Sequence, residues 1–335
     1  MSFLARVKAN LLLFIISVTF SLILAEIIVR IFVEQETKRL AIYDKELGWR
    51  GRPNGSGTYI RNKDSIKVPF RYNNYGFRDD DVDENNESNN IMFLGDSFIE
   101  SLEVEYEYIF HERLENKLKE IDPKNEVVAV GSQGYSTAQE ILAFNRYKSL
   151  LNPKTVLLAF YTGNDFSDNT RKNFAYLDNN EKLIFPENKD SWAKVQFLTF
   201  KRWLYEQSHL VFYLKNFVES RANVRFDGGT KKESATSNQY PFRITKSLIL
   251  KLKEDVKEYG ANFGIVIIPW KRELLNKDFE KIDFVKNICA EAQIPVLDLS
   301  EHLTLEDYFD FDVHFTREGH GVVADAIYEF LNRDL

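Results

Sequence analysis

Cysteine is all but missing from this chain of 335 residues. Cys289 stands alone, so no internal disulfide can form. It lies in the apolar stretch VKNICAEA, which reads as a helix interior and marks it as a buried structural thiol. Histidine is also scarce. The five histidines form no cluster with cysteine at metal-ligand spacing, so a zinc site is not expected. An excess of basic charge is absent too. The formal net charge is −7, which argues against a general nucleic-acid binder and against nucleic acid as a partner.

What the chain holds in quantity is apolar surface. Hydrophobic residues make up 44% and aromatics 14%, enough for a sizeable core. The first concentration is at the N-terminus. ANLLLFIISVTFSLILA, residues 9–25, is uncharged, and after Glu26 the run resumes as Ile27, Ile28 and Val29 before Arg30. A membrane span needs about 20 largely apolar residues, a length reached here only if Glu26 sits near the far interface. Arg6 and Lys8 precede the run without an acid, which favours a cytoplasmic N-terminus. No small-x-small cleavage site is evident, so an uncleaved anchor over residues 9–32 is favoured over a cleaved signal peptide. A buried helix of a soluble protein is the third reading; either membrane reading places the bulk of the chain outside the cytoplasm, with residues 1–8 inside in the anchored case.

Residues 33–90 show no sustained periodicity and read as a linker and N-terminal extension. GRPNGSGTYIRN is turn-rich, and DDDVDENNESNN (residues 79–90) reads as a solvated acidic loop. From residue 91 short apolar runs alternate with helical spacing. IMFL, EVVAVG, TVLLAFY, FGIVIIP and PVLDL read as strands. Between them, YIFHERLENKLKEI, TAQEILAFNRYKSLL, ITKSLILKLKEDVKEYG and FEKIDFVKNICAEAQ read as helices, and a helix closes the chain. Pro153 and Gly260 stop two of these helices. The alternation predicts an α/β domain over residues 91–335 with a parallel sheet covered on both faces. Residues 170–240 interrupt the pattern. SWAKVQFLTFKRWLYEQSHLVFYLKNFVES, with Trp192 and Trp203, reads as extra helices on the core, with a substrate lid or a membrane-surface helix as alternatives. DGGTKKESATSNQ after it reads as a flexible loop.

Chemistry in such folds lies beyond the carboxyl ends of the strands. There the first strand ends in Gly95-Asp96-Ser97, the second in GSQGYS with Gly131 and Gly134, and the third in YTGNDF with Asn164. After the fifth comes DFDVHF with His314. Singly, each has an ordinary explanation: a cap, a turn glycine, an Asx turn, a surface histidine. Together they match what acyl transfer by serine demands, a base for the serine proton and donors aimed at an oxyanion. His314 is the candidate base and Ser97 the nucleophile. The Ser97 and Gly134 amides and the Asn164 side chain are candidate oxyanion donors, glycine at 134 letting substrate approach its N–H. Asp96 and Asp165 read as structural, and His320 as a residue near the start of the last helix. His111, His209 and His302 have no motif context.

In this order and context, the GDS, GSQGYS, GND and His314 motifs resemble the SGNH (GDSL-type) hydrolase superfamily. LAEIIVRIF and NNYGFRD are similar to a membrane-anchored bacterial branch of it. The resemblance covers residues 91–335 apart from the insertion. It implies a flavodoxin-like three-layer α/β/α domain, the roles just given, and no metal or organic cofactor. GDSFI lacks the second glycine of the G-x-S-x-G elbow of α/β-hydrolases. The family's acid usually stands three residues before the histidine, and that position is Phe311. Asp312, Asp310 and a Ser–His dyad oriented by a backbone carbonyl are the alternatives, Asp312 being favoured. The implied activity is hydrolysis of an ester, of an acylated glycan or a lipid for example. O-acyl transfer or deacetylation on a surface polysaccharide uses the same residues, and a catalytically silent binding or assembly protein is the third reading. Oligomeric state is open.

Overall fold

A computed structural model describes residues 3–33, 40–61, 66–83, 88–187, 190–227 and 239–335. Most of the loop expected over 227–239, and residues 84–87 of the acidic stretch, lie outside these. The chain opens with α1 (Phe3–Phe32) and two antiparallel strand pairs, β1 (Ala41–Asp44) with β2 (Gly48–Gly51) and β3 (Ser56–Arg61) with β4 (Ile66–Arg71). Then follow β5 (Asn89–Gly95), α2 (Ser97–Glu100), α3 (Phe110–Lys119), β6 (Asn125–Gly131), α4 (Thr137–Leu151), β7 (Pro153–Tyr161) and α5 (Asp165–Asp168). A short pair, β8 (Tyr176–Leu177) and β9 (Leu183–Ile184), precedes α6 (Trp192–Gln207) and α7 (His209–Asp227). The chain ends with α8 (Tyr240–Tyr259), β10 (Asn262–Ile268), α9 (Lys271–Asn276), α10 (Glu280–Ala292), β11 (Val296–Asp298) and α11 (Arg317–Asp334). These elements form two compact units, one of α1, α6 and α7, the other of the rest.

The larger unit is built on a parallel sheet of order β11-β10-β7-β5-β6. Numbered along the chain this is the flavodoxin order 2-1-3-4-5, as expected, with a switch point beside β5. The strands are apolar on both faces because both faces are covered. Phe93, Ala129, Leu157 and Val266 pack with α3 and α11. Met92, Val130, Leu158 and Ile265 pack with α4, α8 and α10 on the other side. Each of these side chains larger than alanine stabilises the fold by roughly 1.5–3 kcal/mol. Asn152 ends α4 in a left-handed conformation and Pro153 opens β7; Gly260, at φ 92°, ends α8.

Residues 40–83 contain more structure than their weak periodicity announces. The strands β1 to β4 are four to six residues long, too short for a pattern. They reach the carboxyl end of the sheet, where Trp49 of β2 bonds to the Gln133 carbonyl just after β6. Arg78 is buried and donates to the carbonyls of Ser101 and, at 2.6 Å, of Val104, capping the chain as it leaves α2. Asp79, read from sequence as the start of a solvated loop, is instead buried. It accepts from the Ala129 N–H at 2.8 Å and the Tyr106 hydroxyl at 2.8 Å. Gly76 sits at φ 88°, and a Cβ there would meet the Gly51 carbonyl oxygen at 2.1 Å, so the turn has room only for glycine.

In the smaller unit, α1 contains a segment of 27 residues, Arg6–Phe32, long and apolar enough to cross a membrane, and α7 packs against both α1 and α6.

Candidate active site

Ser97 opens α2 directly after β5. Asp96 caps this short helix, its Oδ1 accepting from the Phe98 N–H at 3.0 Å, and so presents Ser97 at the carboxyl edge of the sheet. His314 lies in the loop between β11 and α11. An antiparallel bridge between Tyr308 and Phe315 pinches that loop, and the Phe309 N–H donates to the His314 carbonyl at 3.1 Å. The buried imidazole rests on the Phe98 ring with centroids 4.9 Å apart, and its Nε2 lies 2.8 Å from Ser97 Oγ. Residues 217 positions apart thus share one hydrogen bond.

The group at the other ring nitrogen is Asp312. Its Oδ1 lies 2.6 Å from His314 Nδ1 and also accepts the His314 backbone N–H at 3.0 Å. This is an Asx turn, which brings a carboxylate two residues upstream back onto the following ring. Phe311, in the family's usual acid position, points outward at 59% exposure, and Asp310 is exposed. Nδ1 donating to Asp312 leaves Nε2 as the acceptor facing Ser97, the tautomer a general base needs.

Three residues that the sequence reading did not single out surround this pair. Glu103 Oε1 lies 3.4 Å from His314 Nδ1. Arg61, from β3, places its guanidinium against the Asp312 carboxylate. Tyr59, two residues earlier on the same face of β3, bonds to Glu103 and Arg61; burial first, then the Glu103 charge, raises its hydroxyl's pKa. Ligand atoms of Glu103, Asp312 and His314 lie within 4.8 Å of one another, a spacing a metal could use. The Arg61 cation on Asp312 and the bond from His314 Nδ1 already occupy that donor set, which therefore fits a hydrogen-bonded pair better than an ion.

Gly134 lies in the loop after β6 at φ 76°, and a Cβ there would meet only Trp49 at 3.8 Å. Glycine is needed for the backbone conformation rather than for room. The loop is braced from both sides. Trp49 Nε1 donates to the Gln133 carbonyl at 3.2 Å, and the Tyr135 hydroxyl to the Trp49 carbonyl at 2.6 Å. Glu100 accepts the Gln133 N–H at 2.7 Å, and Arg171 donates to the Gly134 carbonyl at 2.6 Å. Among the described residues, the N–H groups of Ser97 and Gly134 take no part in the turn and loop hydrogen bonds around them.

Asn164 is placed differently from a free donor. Its Nδ2 gives one hydrogen to Asp96 Oδ2 at 2.9 Å and the other to Asp168 Oδ2 at 3.1 Å. Asp168 also pairs with Arg171 at 2.6 Å, and burial pushes its carboxyl up to about 6. Beneath lie three fully buried acids. Burial raises the carboxyl pKa of Asp96, of Glu140 and of Asp165, the last two also through the charges of their acidic neighbours. Glu140 was hidden in the sequence because it stands in an ordinary amphipathic helix.

No protein-family model and no curated protein sequence matches the chain. Among solved structures it is similar to the psychrotrophic esterase EstA from Pseudoalteromonas sp., at 9% identity over 73% of this chain and 98% of that one, TM-score 0.42. It is similar also to a GDSL-like lipase from Bacteroides thetaiotaomicron, at 13% identity over 74% and 89%, TM-score 0.39. A two-domain esterase active on acetylated mannans is matched at 14% identity over 75% of this chain and 50% of that one, TM-score 0.41. At such distances function has to be argued from the site itself.

Proposed function

We propose that the chain is a membrane-anchored serine esterase of the SGNH type, with α1 as its single span and the α/β unit on the extracytoplasmic side. The observation that carries the activity is the continuous hydrogen-bonded chain from Asp312 through His314 to Ser97. His314 Nε2 takes the Ser97 proton as Oγ attacks the ester carbonyl carbon, and the carbonyl electron pair moves onto oxygen. The oxyanion is met by the Ser97 and Gly134 N–H groups, joined by the Asn164 amide once it turns from Asp168. The imidazolium, stabilised by Asp312, then protonates the departing alcohol and leaves an acyl-serine. Water, deprotonated by His314, attacks that ester, and the collapse releases the acid and restores Ser97.

A serine-directed fluorophosphonate tests this on the full chain in detergent. The parent and Asp310→Asn are expected to label alike, Asp312→Asn about a hundredfold or more slower, and Ser97→Ala not at all. A parent that is folded by circular dichroism and fails to label would overturn the proposal.

A further inference from the structure

Glu26 is the one acid in the apolar stretch of α1, and the structure gives it partners. Its carboxylate accepts from the Ser208 hydroxyl at 2.8 Å and from the N–H groups of His209 and Leu210, each at 2.9 Å. It thus supplies, from another helix, the acceptors that the start of α7 lacks. Arg30, one turn on, pairs with Glu26 at 2.6 Å and donates to the Gln207 carbonyl at 2.6 Å, at the end of α6. The turn between α6 and α7 is therefore clasped to α1 at the level of Glu26. That is the level at which the apolar run must meet the far interface if it is to span a bilayer.

The hairpin exposes several large apolar side chains. Trp192, Phe197, Phe200 and Trp203 fall on one side of α6 and are 77, 63, 57 and 51% exposed. Leu214 and Val218 do the same on α7. Between residues 192 and 227 there are six Lys or Arg against three Asp or Glu, in a chain whose net charge is −7. We infer that the α6–α7 hairpin lies in the outer membrane–water interface, its aromatic side chains among the lipid carbonyls and its basic side chains on anionic headgroups. The occupant is lipid for three reasons. The hairpin is joined to a span at interface depth, its exposed residues are the Trp and Phe that favour that depth, and its charge is opposite to that of anionic lipid. This inference rests on α1 being a membrane span.

The test uses the full chain in vesicles of phosphatidylethanolamine and phosphatidylglycerol, with some lipid brominated near the carbonyl end of its acyl chains. Tryptophan emission is compared between the parent and Trp192→Phe/Trp203→Phe, which keeps Trp49 and Trp270 of the α/β unit. The parent is expected to lose a fraction of its emission roughly twofold larger or more. If the chain resists extraction by alkaline carbonate and the two proteins are quenched alike, the hairpin inference fails while the anchor stands. If carbonate extracts the chain, the anchor and this inference fall together.

Discussion

At the scale of single residues, the position of Asn164 is the most consequential. Its two amide hydrogens are committed to Asp96 and Asp168, so a charged Asp168 both holds a prospective oxyanion donor and sets a negative charge beside it. Burial pushes Asp168 up to about 6. Above that pH the carboxylate is charged and grips the amide; below it the acid is neutral. Asp168→Asn is therefore expected to raise kcat for a soluble ester by up to about tenfold at pH 8, with the advantage shrinking towards pH 5. Activity below the parent at every pH would mean that Asp168 instead holds Asn164 where the reaction needs it. The same scale explains the proposed acid. Asp312 reaches His314 through an Asx turn, a local bend that a rule of fixed spacing cannot anticipate.

At the scale of elements, β3 reaches the site from a region with no periodic signal. Arg61 lies against Asp312, and Tyr59 bonds to Glu103, so this strand balances two carboxylates that face one ring. In the proposed mechanism Arg61 is a positioning residue acting through Asp312. Arg61→Ala is expected to lower kcat about tenfold, some 1.4 kcal/mol, with KM near the parent value, and Arg61→Lys to recover part of the loss. A rise in KM at unchanged kcat would show that Arg61 binds substrate instead.

At the scale of the whole molecule, buried carboxyls tie stability to pH. Burial pushes Asp79 up to about 8, against 3.8 for the ordinary group, although the Ala129 N–H and the Tyr106 hydroxyl partly oppose it. Between those values the folded chain holds a proton that the unfolded chain has released. Stability from this group therefore falls as pH rises. The unfolding free energy read from urea titrations of the full chain in detergent is expected to drop between pH 5 and pH 8, by on the order of 1 kcal/mol per pH unit at the steepest. Asp79→Asn should lose that part of the slope, and an equal drop in both proteins would refute the assignment.

The sequence by itself determined the alternation of strands and helices, the two-sided burial of the sheet, and the strand ends that carry Ser97, Gly134 and Asn164. These follow from side-chain periods of two and of 3.6 residues and from turn residues such as Pro153 and Gly260, which act over a few neighbours. Only the tertiary structure put Asp312 rather than Asp310 beside His314, brought Arg61, Tyr59 and Glu103 to that pair, buried Asp79, and set Glu26 against the start of α7. Each of these depends on groups meeting across a tight turn or after tens to hundreds of residues of chain. Packing of the whole selects such meetings, and local pattern carries no mark of them.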